Sequence, residues 1–184
     1  MKLRFVPEKS TVTVETRAKG LLAKLAHDLS IEAKSFECSA THDGGRAHIE
    51  LVVSVADLRV AGALKAGSVD MSVLSSVDKN DIERKLRTEV LRGEKVVAKL
   101  DCETALEAGN RALTARGTVE VGAGSVPVSS HLDFQVRDAL IVARARVRVN
   151  LPGLGITPPK GPLGAFRVDD DVEVVVRLEF LRVE

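Results

Sequence analysis

Residues 20–32 read GLLAKLAHDLSIE, and His27 beside Asp28 has the composition of a general base with an orienting carboxylate. Such a pair must converge on one substrate. If a strand begins at AHDLSIE, sequence neighbours project to opposite faces, so His27 and Asp28 cannot act together. No Ser- or Cys-centred nucleophile motif accompanies them, and the reading is non-enzymatic, with no catalytic residue assigned. Asp28 is expected to accept backbone N–H groups where the chain enters the strand, and His27 to pack or hydrogen-bond at one end of the fold.

Metal chemistry fares no better. His27, His42, His48 and His131 show no ligand spacing, and His42 and His48 flank a turn where exposed polar residues are expected. His48 and His131 fall on outward faces. Cys38 and Cys102 lie far apart, without metal-binding or redox spacing, and read as free thiols. Arg144, Arg146 and Arg148 alternate along one run and so share an outward face, while Asp169, Asp170, Asp171 and Glu173 open the next run. Cross-strand ion pairing accounts for this row, with contact to an anionic membrane surface or acidic partner as the alternative.

The elements that must position these residues are mostly strands. STVTVETRA, residues 10–18, places Val12, Val14, Thr16 and Ala18 on one face and Thr11, Thr13, Glu15 and Arg17 on the other. Residues 35–55 form two β-rich runs joined at Asp43-Gly44-Gly45, a composition that supplies the positive φ of a tight hairpin. One segment changes period: across residues 75–93, Ile82, Leu86 and Val90 recur every four residues, with Ser76, Asp78 or Asn80 as N-cap and Gly93 past the end. This predicts a helix whose polar face, Glu83, Arg84, Lys85 and Arg87, is solvated. Four strand-like runs follow, broken by EAGNRA, by Gly122-Ala123-Gly124 and by Arg137-Asp138, and a last strand covers residues 171–181. Between them, the Gly- and Pro-rich segment 151–166 predicts a loop more mobile than the strands, covering one opening of the fold.

About eight strands and one helix fit either a closed antiparallel barrel or a two-sheet sandwich. The barrel is favoured, because closure removes the exposed edges that long apolar strands would otherwise leave. The fold class expected is therefore all-β, an eight-stranded antiparallel barrel with one helix, as a single domain over residues 1–184. Its inward face is read as Val14, Ile49, Leu51, Val53, Leu100, Leu113, Ala115, Val119, Leu132, Phe134, Ala143, Val147, Val174 and Val176. These side chains are mostly small. An interior so lined either closes on itself or holds one apolar guest, and the residues alone leave both open.

Composition excludes several partners. With 27 basic and 26 acidic side chains there is no net field to attract a polyanion, and five Phe without Trp or Tyr leave little for base stacking, so no nucleic-acid partner is expected. No run of 18 apolar residues occurs, so no integral membrane segment is expected. MKLRFVPEKS lacks the apolar core and cleavage site of a secretory leader, which reads as cytoplasmic, or as periplasmic if a leader has been removed.

FVPEKSTVTVETRAKG, AHDLSIEAKSFECSA, NDIERKLRTEVLRGEKVVAKLDCE and ARGTVEVGAGSVPVSSHLDF, in that order, resemble the YceI-like family over nearly the whole chain. The resemblance implies a lipocalin-like barrel that binds a polyisoprenoid chain or lipid, an isoprenoid quinone for example, in its interior. No cofactor or metal is expected. The expected function is non-enzymatic binding or carriage of a long apolar molecule, with a filled barrel serving as a protein-interaction scaffold as the alternative and a homodimer as one oligomeric state.

Overall fold

The computed structural model describes residues 1–183 except 21, 22, 24, 25, 162 and 163. Strands dominate because apolar residues alternate with polar ones through most of the chain. The strands are β1 (Lys2–Phe5), β2 (Thr11–Thr16), β3 (Ala18–Lys19), β4 (Asp28–Ala33), β5 (Glu37–Asp43), β6 (Arg46–Ser54), β7 (Leu58–Lys65) and β8 (Ser68–Asp70). After the helix α1 (Ser76–Lys85) come β9 (Lys95–Glu103), β10 (Gly109–Val121), β11 (Gly124–Arg137), β12 (Leu140–Asn150), β13 (Arg167–Val168) and β14 (Asp171–Arg182).

Eight antiparallel staves close into a barrel. Three of them are bent strands: β1 continues as β2 through a turn at Pro7–Lys9, β4 continues as β5, and β6 continues as β7 through Val55–Asp57. Closure occurs along β14, where Phe5 faces Phe180 and Leu3 faces Arg182, while Val12 and Val14 of β2 face Val176 and Val174. Pro7 opens the intervening turn, and Ser10 bridges it: its hydroxyl donates to the Val6 carbonyl at 2.8 Å and accepts from the Glu179 N–H at 2.9 Å. Outside the barrel, β3 and β13 make a small second sheet. The hairpin turn lies at Gly44 and Gly45 as the sequence predicts, with φ of 54° and 81°.

Besides the short β8 and β13, β1 and β7 escape the sequence reading. β1 is only four residues long, and β7, LRVAGALK, carries Ala and Gly where a strand signal needs β-branched residues. A register shift between Ser30 and Ile31 also breaks its alternation.

Beyond Ser54, β6 bends away into β7 and leaves β9, so the β7 edge is left without a ladder partner until β8. The helix takes over that role through side chains. Buried Glu83 accepts the Val60 N–H at 2.9 Å, and Lys79 Nζ donates to the Ala61 carbonyl at 3.0 Å. Glu83 is thus not on a solvated face as the helical wheel suggested; the unpaired strand edge draws it in. Arg84 and Lys85 are exposed as expected. The N-cap is Ser75, rather than Ser76, Asp78 or Asn80, and it forms a capping box with Asp78. Past Lys85 the helix widens into a π turn over Leu86–Val90, and Ile82, Leu86 and Val90 pack on the core.

Gly117 sits at mid-length of β10, where a Cβ would lie 1.8 Å from the Lys99 carbonyl oxygen of β9. Glycine there permits the close approach that the strongly coiled pair requires. Gly117→Ala is expected to lower stability by about 2 kcal/mol through backbone displacement, read as a shift in denaturation midpoint. Glu83→Ala should cost about 1–3 kcal/mol by orphaning the Val60 N–H, with Glu83→Gln, which keeps an acceptor, recovering most of it.

Candidate functional site

The site grows from the alternation of the strands. Register sets the inward face: Ala98 of β9 opposes Leu51 and Val119, Leu100 opposes Ile49 and Gly117, and Ala145 of β12 opposes Leu132 and Val176. All fourteen residues read from the sequence as lining the interior belong to one apolar cluster. Leu51, Val53, Ala115, Val119, Leu132, Phe134, Ala143 and Val147 are buried, whereas Val14, Ile49, Leu100, Leu113, Val174 and Val176 are half-buried.

That division has a spatial pattern. At the end that carries the 44–45 and 137–140 turns, Leu3, Val136, Ile141 and Phe180 are at most 5% exposed, and Leu106 from the 103–109 connection packs among them. At the other end Val149, Val172, Leu151, Leu154 and Ile156 are buried. Toward mid-height the inward residues Cys38, Ile49, Ala98, Leu100, Ala145, Val174 and Val176 keep partial exposure. Solvent therefore reaches apolar side chains on the inner face of the wall between two packed ends.

The 151–166 segment divides in two. Residues 151–156 pack into the fold: Leu151, Leu154 and Ile156 enter the core, and a Cβ on Gly153 would lie 2.5 Å from Val126 Cγ1. Gly153 is there for close packing, and Gly155, with φ of 73° and open space beside it, supplies the left-handed turn. From Thr157 on the segment lies nearer the surface, tied by the Val168 N–H to the Pro159 carbonyl at 2.8 Å; residues 162 and 163 lie outside the described residues. Ion pairs Lys19–Asp169 at 2.7 Å and Arg167–Asp170 at 2.5 Å fasten the small β3–β13 sheet beside it.

The candidate chemical residues disperse. His27 is exposed just before β4, and Asp28 accepts the Ala18 N–H at 2.8 Å, the strand-entry role expected of it. His48 pairs with Asp101 on the outer face, and His131 is exposed. His42 differs from expectation: it continues the inward face of β5, is half-buried and hydrogen-bonds the Thr104 carbonyl through Nε2 at 2.7 Å. Its position before the turn suggested exposure, but strand alternation runs through to the turn residue and points it inward. Among the described residues no group of three or more His, Cys, Asp or Glu could hold a metal ion.

Cys38 and Cys102 are free, and burial pushes the Cys38 thiol up to about 12 and raises that of Cys102, which Asp101 raises further. Both are thereby held protonated, in the state that is a poor nucleophile. Of the arginine row only Arg146 pairs across strands, among the described residues: it donates to Glu15 and to Glu173 at 2.6 Å each and holds the Glu173 carboxyl below its ordinary range, whereas Asp169 and Asp170 pair with Lys19 and Arg167 instead.

Two shallow, open depressions lie on the outer surface among the described residues. One is lined by Asp43, Gly44, Gly45, Arg46, His48 and Glu103 around the hairpin turn. The other lies over β10, β11 and β12, beside Arg111, Asp133 and Arg144. Neither has the apolar concavity that binds a small molecule, so the inner wall is the better candidate.

No protein-family model matches the chain, and no curated protein matches it by sequence. Among solved structures, the crystal structure of Burkholderia cenocepacia BcnA is similar in fold, with a TM-score of 0.61 over 94% of this chain and 96% of that one, at 11% sequence identity. The likeness supports a lipocalin-like barrel over essentially the full length described.

Inward alanines report on the space in front of them. Ala115 and Ala143 are 3% exposed, so Ala115→Phe and Ala143→Phe should each cost about 1–3 kcal/mol by overpacking. Ala98→Phe and Ala145→Phe, at half-exposed inward positions, should cost less than about 1 kcal/mol. Denaturant midpoints of the four variants check the contrast.

Proposed function

We propose that the protein is a non-enzymatic carrier or buffer of a long apolar molecule, a polyisoprenoid or other lipid, held inside the barrel. The observation that carries this reading is the band of half-exposed Ala, Val, Ile and Leu on the inner wall between two packed ends. Apolar surface in that position gains from being covered, and each CH₂ buried contributes about 0.8 kcal/mol. An enclosed chain therefore needs few polar contacts to be retained. The fold shared with BcnA is that of a ligand-binding type of barrel, and the ordered resemblance to the YceI-like family supports a prenyl or acyl guest.

Catalysis has no comparable support. The histidines point in different directions, the thiols are held protonated by burial, and the carboxylates nearest to them serve the strand entry at Asp28 or outer-face pairs at Asp101. A scaffold with a filled core is the rival, and the packed ends are what favours it.

Native mass spectrometry of the purified protein, followed by organic extraction, is expected to show a bound prenyl or acyl compound. Purified protein stripped of it should take up a farnesyl or acyl fluorophore saturably, and Ala98→Phe should lose uptake while keeping its denaturation midpoint. Absence of any co-purifying or saturable long-chain ligand would give the scaffold reading precedence.

A further inference from the structure

We propose that Arg182 anchors an anionic head on the apolar guest, so that the cargo is a long-chain carboxylate or phosphate monoester rather than a neutral lipid. The proposal rests on the carrier reading and narrows it.

β14 ends on Arg182, two residues past Phe180, which is 2% exposed and faces inward. Alternation therefore turns Arg182 toward the interior as well. Its direct partner Leu3 is buried, and the same ladder row continues through Ala40 to Ile49 and Leu100, the half-exposed wall. Arg182 thus shares a row with the apolar surface that the guest would cover.

One edge of its guanidinium is buried without a partner, while the residue as a whole is half-buried. Nε and Nη2 have essentially no solvent contact and no hydrogen bond among the described residues. These two nitrogens form one edge of the guanidinium, the edge whose parallel N–H bonds match the two oxygens of a carboxylate or phosphate. Other buried inward polar groups are satisfied: the Ser130 hydroxyl donates to the Arg146 carbonyl at 2.9 Å, and Thr16 Oγ1 accepts the Leu29 N–H at 3.3 Å. The exception besides Arg182 is Thr104 Oγ1, at the same end of the barrel, with the residue 6% exposed.

Among the described residues no carboxylate bonds the guanidinium: Asp43 and Asp138 of the two turns at this end stay clear of it, and three others are engaged elsewhere. Glu179 pairs with Arg177, Asp101 with His48, and Glu103 with Arg46 at 3.6 Å. Buried N–H donors left unpaired on a charged group are unfavourable, and an incoming anion removes that penalty. Burial of the tail and neutralisation of the guanidinium then favour the same guest.

The test compares palmitate, hexadecyl phosphate and hexadecanol, each below its micelle concentration, by displacement of a fluorescent probe from wild type, Arg182→Met and Thr104→Val. In wild type the two anions should bind at least about tenfold more tightly than the alcohol. Arg182→Met should erase that preference while leaving hexadecanol affinity within about twofold, and Thr104→Val should weaken anion binding by a few fold. Whichever anion binds tighter identifies the head. Unliganded Arg182→Met should be at least as stable as wild type, since the buried unpaired N–H donors are gone.

Equal binding of acid and alcohol in wild type, a preference that survives Arg182→Met, or a marked loss of stability in that variant would overturn the anion anchor while leaving the carrier reading in place. Failure of all three ligands to bind would overturn both.

Discussion

Closure of the barrel along β14 is the constraint from which the rest of the molecule follows. One edge of β14 pairs with β12 over its whole length, and the other must be shared by β1 and β2, with the turn at Pro7–Lys9 between them. Were that edge left open, a long apolar strand would present unpaired N–H and C=O groups to solvent and to other chains. Closing it joins the two ends of the sequence in space and fixes which face of every other strand is inward. A slip of one residue anywhere in the ring would exchange the Val, Leu and Ala wall for the charged one.

Fixed strand number then fixes the space to be filled. An eight-stranded barrel has room for its own side chains or for one small guest. Here large residues collect at the end around Phe5, Phe36 and Phe180, whose rings lie 5.5–5.8 Å apart, centre to centre, in two tilted pairs. Along the middle of the wall the side chains are smaller, and they keep partial exposure. The same ring that demands closure thus leaves part of its inner apolar surface only half-buried.

Where the ladder cannot continue, side chains replace it. The split between β7 and β9 is covered by a helix that lends Glu83 and Lys79 to the bare edge, and the Pro7–Lys9 break is covered by Ser10. Charge is used outside the barrel to tie strands together, as Arg146 does between Glu15 and Glu173. Inside, Arg182 stands apart from this economy, a charged group with no protein group opposite its Nε/Nη2 edge among the described residues.

The sequence by itself determined the long strands, their inward faces, the Gly44-Gly45 hairpin and the single helix, because these are local properties of alternation, turn chemistry and period. All fourteen residues read as inward lie in the core cluster for that reason. It did not determine what each inward residue meets. That Ala98 is half-buried and Ala115 buried depends on strands distant in sequence. Glu83 reads as solvated until β7, a strand too rich in Ala and Gly to announce itself, brings an unpaired N–H beneath it. Arg182 lies just past the run 171–181 read as a strand, and only β1, pairing across it, turns it inward. Tertiary structure decided these points because burial and hydrogen-bond satisfaction are set by the neighbour across the ring, and a one-dimensional pattern carries the direction of a side chain but not what stands opposite.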